Sequence, residues 1–108
     1  MPQDQYLLVL CTFPNAEEAR QIGTQLIELQ VAACVNLIPQ IESIYRWKGE
    51  IKQESEVMAV IKTTMNNYAE IEARIRELHP YDTPEVIAVP IERGATSYLN
   101  WISEVTRD

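Results

Sequence analysis

Glycine is scarce in this sequence, with three residues in 108 and no two of them near each other. A phosphate cradle needs a glycine-rich loop whose backbone amides face the anion, so nucleotide chemistry has no foothold of that kind here. Basic residues are also few: nine Lys and Arg stand against sixteen Asp and Glu, and the net charge of −7 is spread along the chain. Without a cluster of Lys and Arg there is nothing to displace counterions from a phosphate backbone, which argues against DNA, RNA or an anionic membrane as partners. Long apolar runs are missing too. The longest, Leu7 to Cys11, is far shorter than a bilayer span, and Met1-Pro2-Gln3-Asp4-Gln5 lacks the basic start and apolar stretch of a signal peptide. The expected location is the cytoplasm. Only two cysteines occur, Cys11 and Cys34, and in a reducing compartment they are expected as free thiols.

What the sequence does have is 46% hydrophobic residues in a chain of ordinary domain size, so residues 1–108 read as a single domain with its own core. Tyr6 to Cys11 is a continuous apolar run closed by Thr12-Phe13-Pro14-Asn15, which predicts a strand buried on both faces and then a turn. Asn15 with Glu18 resembles a capping box, and Ala19, Ile22, Leu26 and Leu29 recur at helical spacing. Val31 to Trp47 is rich in Val, Ile and Tyr but contains Pro39, so it predicts a long strand with a bulge or bend at that point. Lys48-Gly49 makes a tight turn, and Glu50 to Thr64, with the core run Val57 to Ile61, completes a long hairpin. Asn66 or Asn67 is placed to cap a second helix along Tyr68, Ile71, Ile75 and Leu78, stopped by Pro80. Val86 to Val89, before Pro90, is a short fourth strand, and Thr96 or Ser97 is placed to cap a last helix carrying Tyr98, Trp101, Ile102 and Val105.

The order βαββαβ plus a terminal helix predicts an α+β, ferredoxin-like antiparallel sheet, with strands in the order 4-1-3-2 and two helices on one face. The other face is left bare. With Ile41, Tyr45 and Trp47 on one side of the hairpin and Ile44 on the other, a lone copy would expose much apolar surface, and further copies of the chain are the simplest cover. The competing arrangement has the third helix alone folding back over that face.

Four motifs then carry a family resemblance: Ala32-Ala33-Cys34-Val35-Asn36, Ser43 to Ile51 (SIYRWKGEI), Lys62-Thr63-Thr64, and Leu78-His79-Pro80-Tyr81-Asp82-Thr83-Pro84-Glu85. Found in one order, they resemble the signatures of the CutA family, the divalent-cation tolerance proteins. The resemblance implies a ferredoxin-like homotrimer whose long hairpins link neighbouring sheets, association with tolerance to copper and other divalent cations, and no assigned reaction.

It also implies candidate residues. Bacterial members bind copper through a Cys late in the first strand and two adjacent His before Pro-Tyr, and the matching positions here are Cys11, Leu78 and His79. Leu78 replaces one His, leaving Cys11 and His79 as the expected metal pair on the same side of the domain. Thiolate and imidazole suit Cu²⁺ or similar soft or borderline ions and not Mg²⁺ or Ca²⁺. Against this, His79 reads equally as a residue at a helix end, and Cys11 and Cys34 as small buried side chains. A second set, Tyr45, Trp47, Lys62 and Glu85, has counterparts that cluster near the clefts between subunits, and would hold a small anionic or zwitterionic ligand or else glue the interface. The alternatives are a PII-type trimeric signalling module binding a small anion between subunits, which the missing glycine loop disfavours, and an enzyme. An acylphosphatase-like hydrolase finds neither Arg nor Gly in Thr12-Phe13-Pro14-Asn15, and a Cys-His nucleophile finds only Cys11 and His79 without a third group.

Overall fold

A computed structural model describes residues 5–107. In chain order the elements are β1 (Tyr6–Phe13), α1 (Ala16–Glu28), β2 (Cys34–Trp47), β3 (Glu50–Thr64), α2 (Met65–Leu78), β4 (Ile87–Ile91) and α3 (Thr96–Val105). The four strands form one sheet in the order β2-β3-β1-β4, and every neighbouring pair is antiparallel. β1 runs two residues past the apolar run because its pairing with β3 continues through Thr12↔Met58 and Phe13↔Val57.

Alternation along the strands divides the sheet into two faces. Val9, Cys11 and Phe13 of β1 and Val57, Ala59 and Ile61 of β3 are buried against Ala19, Ile22 and Leu26 of α1 and Ile71 and Ile75 of α2. Gly23 in the middle of α1 has a packing reason. A Cβ there would stand 3.2 Å from Val35 Cγ1, so its absence lets α1 lie close to β2.

The residues of the other face are covered unevenly. α3 lies over one end, where Tyr6 Oη and Ser103 Oγ are 2.7 Å apart and Ile102 is fully buried. Further along, Ile38, Ile87 and Val89 remain 47%, 51% and 44% exposed. The third helix therefore shields part of this face and leaves an apolar strip.

β2 and β3 outrun β1. Beyond Phe13↔Val57 they continue as a two-stranded arm from Ile41↔Glu56 to Trp47↔Glu50, and the molecule measures 49 × 25 × 21 Å. The arm begins at a register shift between Ile38 and Ile41, around Pro39 and a Gln40 with φ 58°. It ends in a two-residue turn in which Lys48 and Gly49 have φ of 52° and 80°. Two successive positive φ values match the twist of the flanking strands, and glycine adopts the second without a steric penalty.

The helix starts differ in an instructive way. Asn15 caps α1 as its spacing suggests, with Oδ1 accepting the Glu18 amide at 2.9 Å and Nδ2 donating to Glu18 Oε2 at 3.1 Å. For α2 the cap position is Thr64, and Asn67 is instead buried in the first turn, donating to Thr64 Oγ1 and to the Arg107 carbonyl, each at 2.8 Å. That second bond ties down the end of the chain, and Arg107 itself donates to the Leu29 carbonyl at 2.8 Å. α3 begins after Ala95 with no side-chain cap, so neither Thr96 nor Ser97 plays that part. β4 includes Pro90, which an edge strand tolerates because one side of its backbone needs no partner.

Candidate functional site

The end of β1 gathers the chemistry. α2 stops at Leu78, and the chain turns at His79 so that its imidazole, 7% exposed, packs over the last residues of β1. The ring stacks on Phe13 with centroids 4.7 Å apart and planes 22° apart, and the Tyr81 ring also lies 4.7 Å from it, tilted by 48°. Nε2 donates to the Thr12 carbonyl at 2.7 Å, and Nδ1 accepts the Tyr81 amide at 3.1 Å. Those two bonds select the neutral tautomer with its hydrogen on Nε2, because a carbonyl only accepts and an amide only donates.

Cys11, fully buried, points its thiol at the same Thr12 carbonyl over 3.8 Å. Burial, and then the carboxylates of Glu85 and Glu56, push this thiol up to about 12, so near neutral pH it keeps its proton. The expected pair is thus brought together, with one backbone oxygen between them. As a donor set, thiol, imidazole and carbonyl match a copper-like ion in kind, although both imidazole nitrogens and the thiol hydrogen are already engaged. Leu78, where the family resemblance sets a second His, is 38% exposed.

Cys34 is not part of this cluster. Its register position faces Lys62, three residues along β3 from the Ala59 that pairs with Cys11, so it lies on the other face of the sheet. The two cysteines are free thiols on opposite faces of the sheet.

Beside the pair, where the arm leaves the sheet, a cleft of about 650 Å³ opens between β2, β3 and the segment after α2. It brings Tyr45, Trp47 and Glu85 together and adds residues that the sequence reading missed: Thr12, Glu54, Glu56, Tyr81 and Asp82. Lys62 does not line it. Its Nζ bonds Asn36 Oδ1, six residues along β3 from Glu56 and so about 20 Å away along the strand. The available signal was the period-two spacing of Lys52, Glu54 and Glu56, which puts three charged side chains on one face of β3.

The cleft is acidic. Tyr45 Oη donates to Glu54 Oε1 at 2.6 Å and Tyr81 Oη to Glu56 Oε2 at 2.8 Å. Lys52 is the cation among the lining residues, and it pairs with Glu50 at 3.3 Å. Glu85 is raised above the usual carboxylate range, first by partial burial and then by Glu56. The hydrogen bond to Glu54 drives Tyr45 up to about 12, and burial followed by the bond to Glu56 raises Tyr81. A proton held more tightly in the folded chain than in the unfolded one supports folding fully below the unfolded tyrosine value near 10. The benefit is lost as pH climbs through the folded values. Phenolate absorbance should therefore appear later in the native protein than in the urea-unfolded chain, with stability to urea falling between about pH 10 and 12. Coincident titrations of native and unfolded chains would remove the two phenol-carboxylate bonds from this description.

Residues 7–105 match the family described as CutA1 divalent ion tolerance protein. The chain belongs to the CutA1 family. It is 43% identical over 99 residues to the divalent-cation tolerance protein CutA of Thermus thermophilus, covering 92% of this chain and 96% of that one. It is 47% identical over 95 residues to mouse protein CutA, covering 88% of this chain but 54% of the mouse protein, so it spans about half the length of that relative. The solved structure of the Thermus thermophilus CutA1 superposes with a TM-score of 0.92 at 42% identity, over 94% of this chain and 99% of that one. CutA1 membership thus rests on sequence and on architecture together. No described helix is long and apolar enough to cross a membrane.

Proposed function

We propose that this protein is a cytoplasmic, homotrimeric divalent-cation tolerance protein with no reaction of its own, which binds copper-like ions through Cys11 and His79. The observation that carries this reading is the meeting of a thiol sulfur, an imidazole nitrogen and a backbone oxygen at Thr12, within the field of Glu56 and Glu85. A thiolate and an imidazole supply the soft and borderline donors that copper prefers. The nearby carboxylates, which hinder loss of the thiol proton in the free protein, favour a divalent ion once it arrives. Family membership supports the tolerance role, two free cysteines suit a reducing compartment, and the apolar strip left beside α3 supports assembly with further copies.

The chemistry of the site speaks against a nucleophile. A thiol raised to about 12 is a poor attacking group, and the imidazole hydrogen on Nε2 is committed to a carbonyl. The acidic cleft also has the wrong sign for nucleotide phosphates, which leaves the PII-type reading without support. Calorimetry with Cu²⁺ tests the metal pair. His79→Ala is expected to weaken binding at least about tenfold, and Leu78→His to strengthen it. Unchanged affinity in both variants would dispose of the site.

A further inference from the structure

We infer that the cleft at the base of the arm binds a small organic cation, an alkylammonium compound, against the rings of Tyr45, Trp47 and Tyr81 and the carboxylates of Glu54, Glu56 and Glu85. The inference goes beyond the copper reading and does not rest on it. It starts from size. A volume of about 650 Å³ is that of a small-molecule pocket and is much larger than a single ion needs.

Charge gives the sign. Glu54, Glu56, Asp82 and Glu85 line the cleft, and Lys52 is drawn to Glu50 outside that set. Glu56 is 8% exposed, and among the described residues no ion pair reaches it or Glu85. The Tyr81 hydroxyl satisfies one oxygen of Glu56, and a carboxylate this far from water gains further from an opposite charge brought beside it. The hydroxyl hydrogens of Tyr45 and Tyr81 are spent on Glu54 and Glu56, so these phenols have nothing left to donate to an anion. Within one chain Lys62 lies away from this cleft and the phenol donors are used, so the lining favours a cation over the small anionic or zwitterionic ligand expected of a cleft between subunits.

Spacing and rings then choose among cations. No three His, Cys, Asp or Glu side chains among the described residues stand close enough to share one metal ion, so these carboxylates do not converge as an inner coordination shell does. Positive charge carried on a carbon framework reaches carboxylates that are apart. Aromatic faces attract such ions and lose nothing to their apolar parts, whereas a hydrated Mg²⁺ gains little from a ring. Tyr45 and Trp47 stand on the arm two residues apart, on the same face as Glu54 and Glu56, while Tyr81 and Glu85 come from the segment after α2. A ligand seated here would touch both walls at once.

The test is calorimetry on the metal-free protein in EDTA near neutral pH, with 1,4-diaminobutane as the probe and butyrate and tetramethylammonium alongside. Saturable binding of the diamine and of tetramethylammonium, with none of butyrate, is the expected pattern. Glu56→Gln keeps an acceptor for Tyr81 and should weaken the diamine about tenfold or more, while Trp47→Leu should weaken tetramethylammonium about three- to tenfold. Glu85→Gln, at an exposed position, guards against a folding defect in the first variant and should weaken the diamine in the same direction. Absence of saturable binding, binding of butyrate, or affinities unchanged in Glu85→Gln and Trp47→Leu would overturn the inference. Because EDTA removes Cu²⁺, failure here leaves the Cys11-His79 titration to be judged on its own result.

Discussion

Replacing Phe13 by alanine is expected to cost about 3–5 kcal/mol of stability and to loosen the metal pair in the same stroke. Phe13 is 1% exposed and belongs to the core cluster with Leu26, Ile71 and Ile75. Truncation removes the transfer energy of a ring and leaves a cavity that the surrounding sheet and helices cannot fully collapse into. One face of that ring carries the His79 imidazole at 4.7 Å, so the histidine loses the surface that sets its plane. Urea unfolding at fixed chain concentration measures the first effect, and Cu²⁺ calorimetry the second. Phe13→Leu separates them, because it keeps most of the apolar volume while removing the flat partner. A Leu variant that recovers stability but not copper affinity is the expected result. Full recovery of both would show that the stack does not position His79.

The second large effect concerns assembly. Val89 pairs with Leu8 on the face partly covered by α3, and Ile38 pairs with Met58 on the same face, yet they remain 44% and 47% exposed. In an isolated chain a glutamate at either position would sit in water and do little. In the proposed trimer it would be an unpaired charge in an apolar contact, worth about 3 kcal/mol or more against association, or over a hundredfold in its equilibrium. Val89→Glu and Ile38→Glu are therefore expected to give folded, dissociated chains, read by circular dichroism and sedimentation together. Variants that fold and still assemble would move the contact to another surface.

How much of this was legible in the residues differs from place to place. Patterns that one element settles alone were readable: Asn15 with Glu18 named the start of α1, Pro39 marked the break in β2, and Lys48-Gly49 marked the tip of the arm. Features that depend on a distant partner were not. Asn67 looks like a cap, but the Arg107 carbonyl, forty residues on, gives it different work. Lys62 looks like the cation of a mixed-charge site, but within one chain the strand carries it far from Glu56 and into contact with Asn36. Glu56 itself opens an apolar run and gives little sign of being buried until Tyr81 is folded against it. The candidate metal pair was found through family resemblance, and only the fold shows that Thr12 stands between the two side chains.

The proposed trimer has one requirement: the apolar strip beside α3 and the arm beyond the sheet would be shared between copies. Sedimentation equilibrium of the unaltered protein over about a thousandfold dilution tests this most directly. The account predicts a mass three times the 12.4 kDa of one chain at every concentration. A single 12.4 kDa species throughout would contradict it.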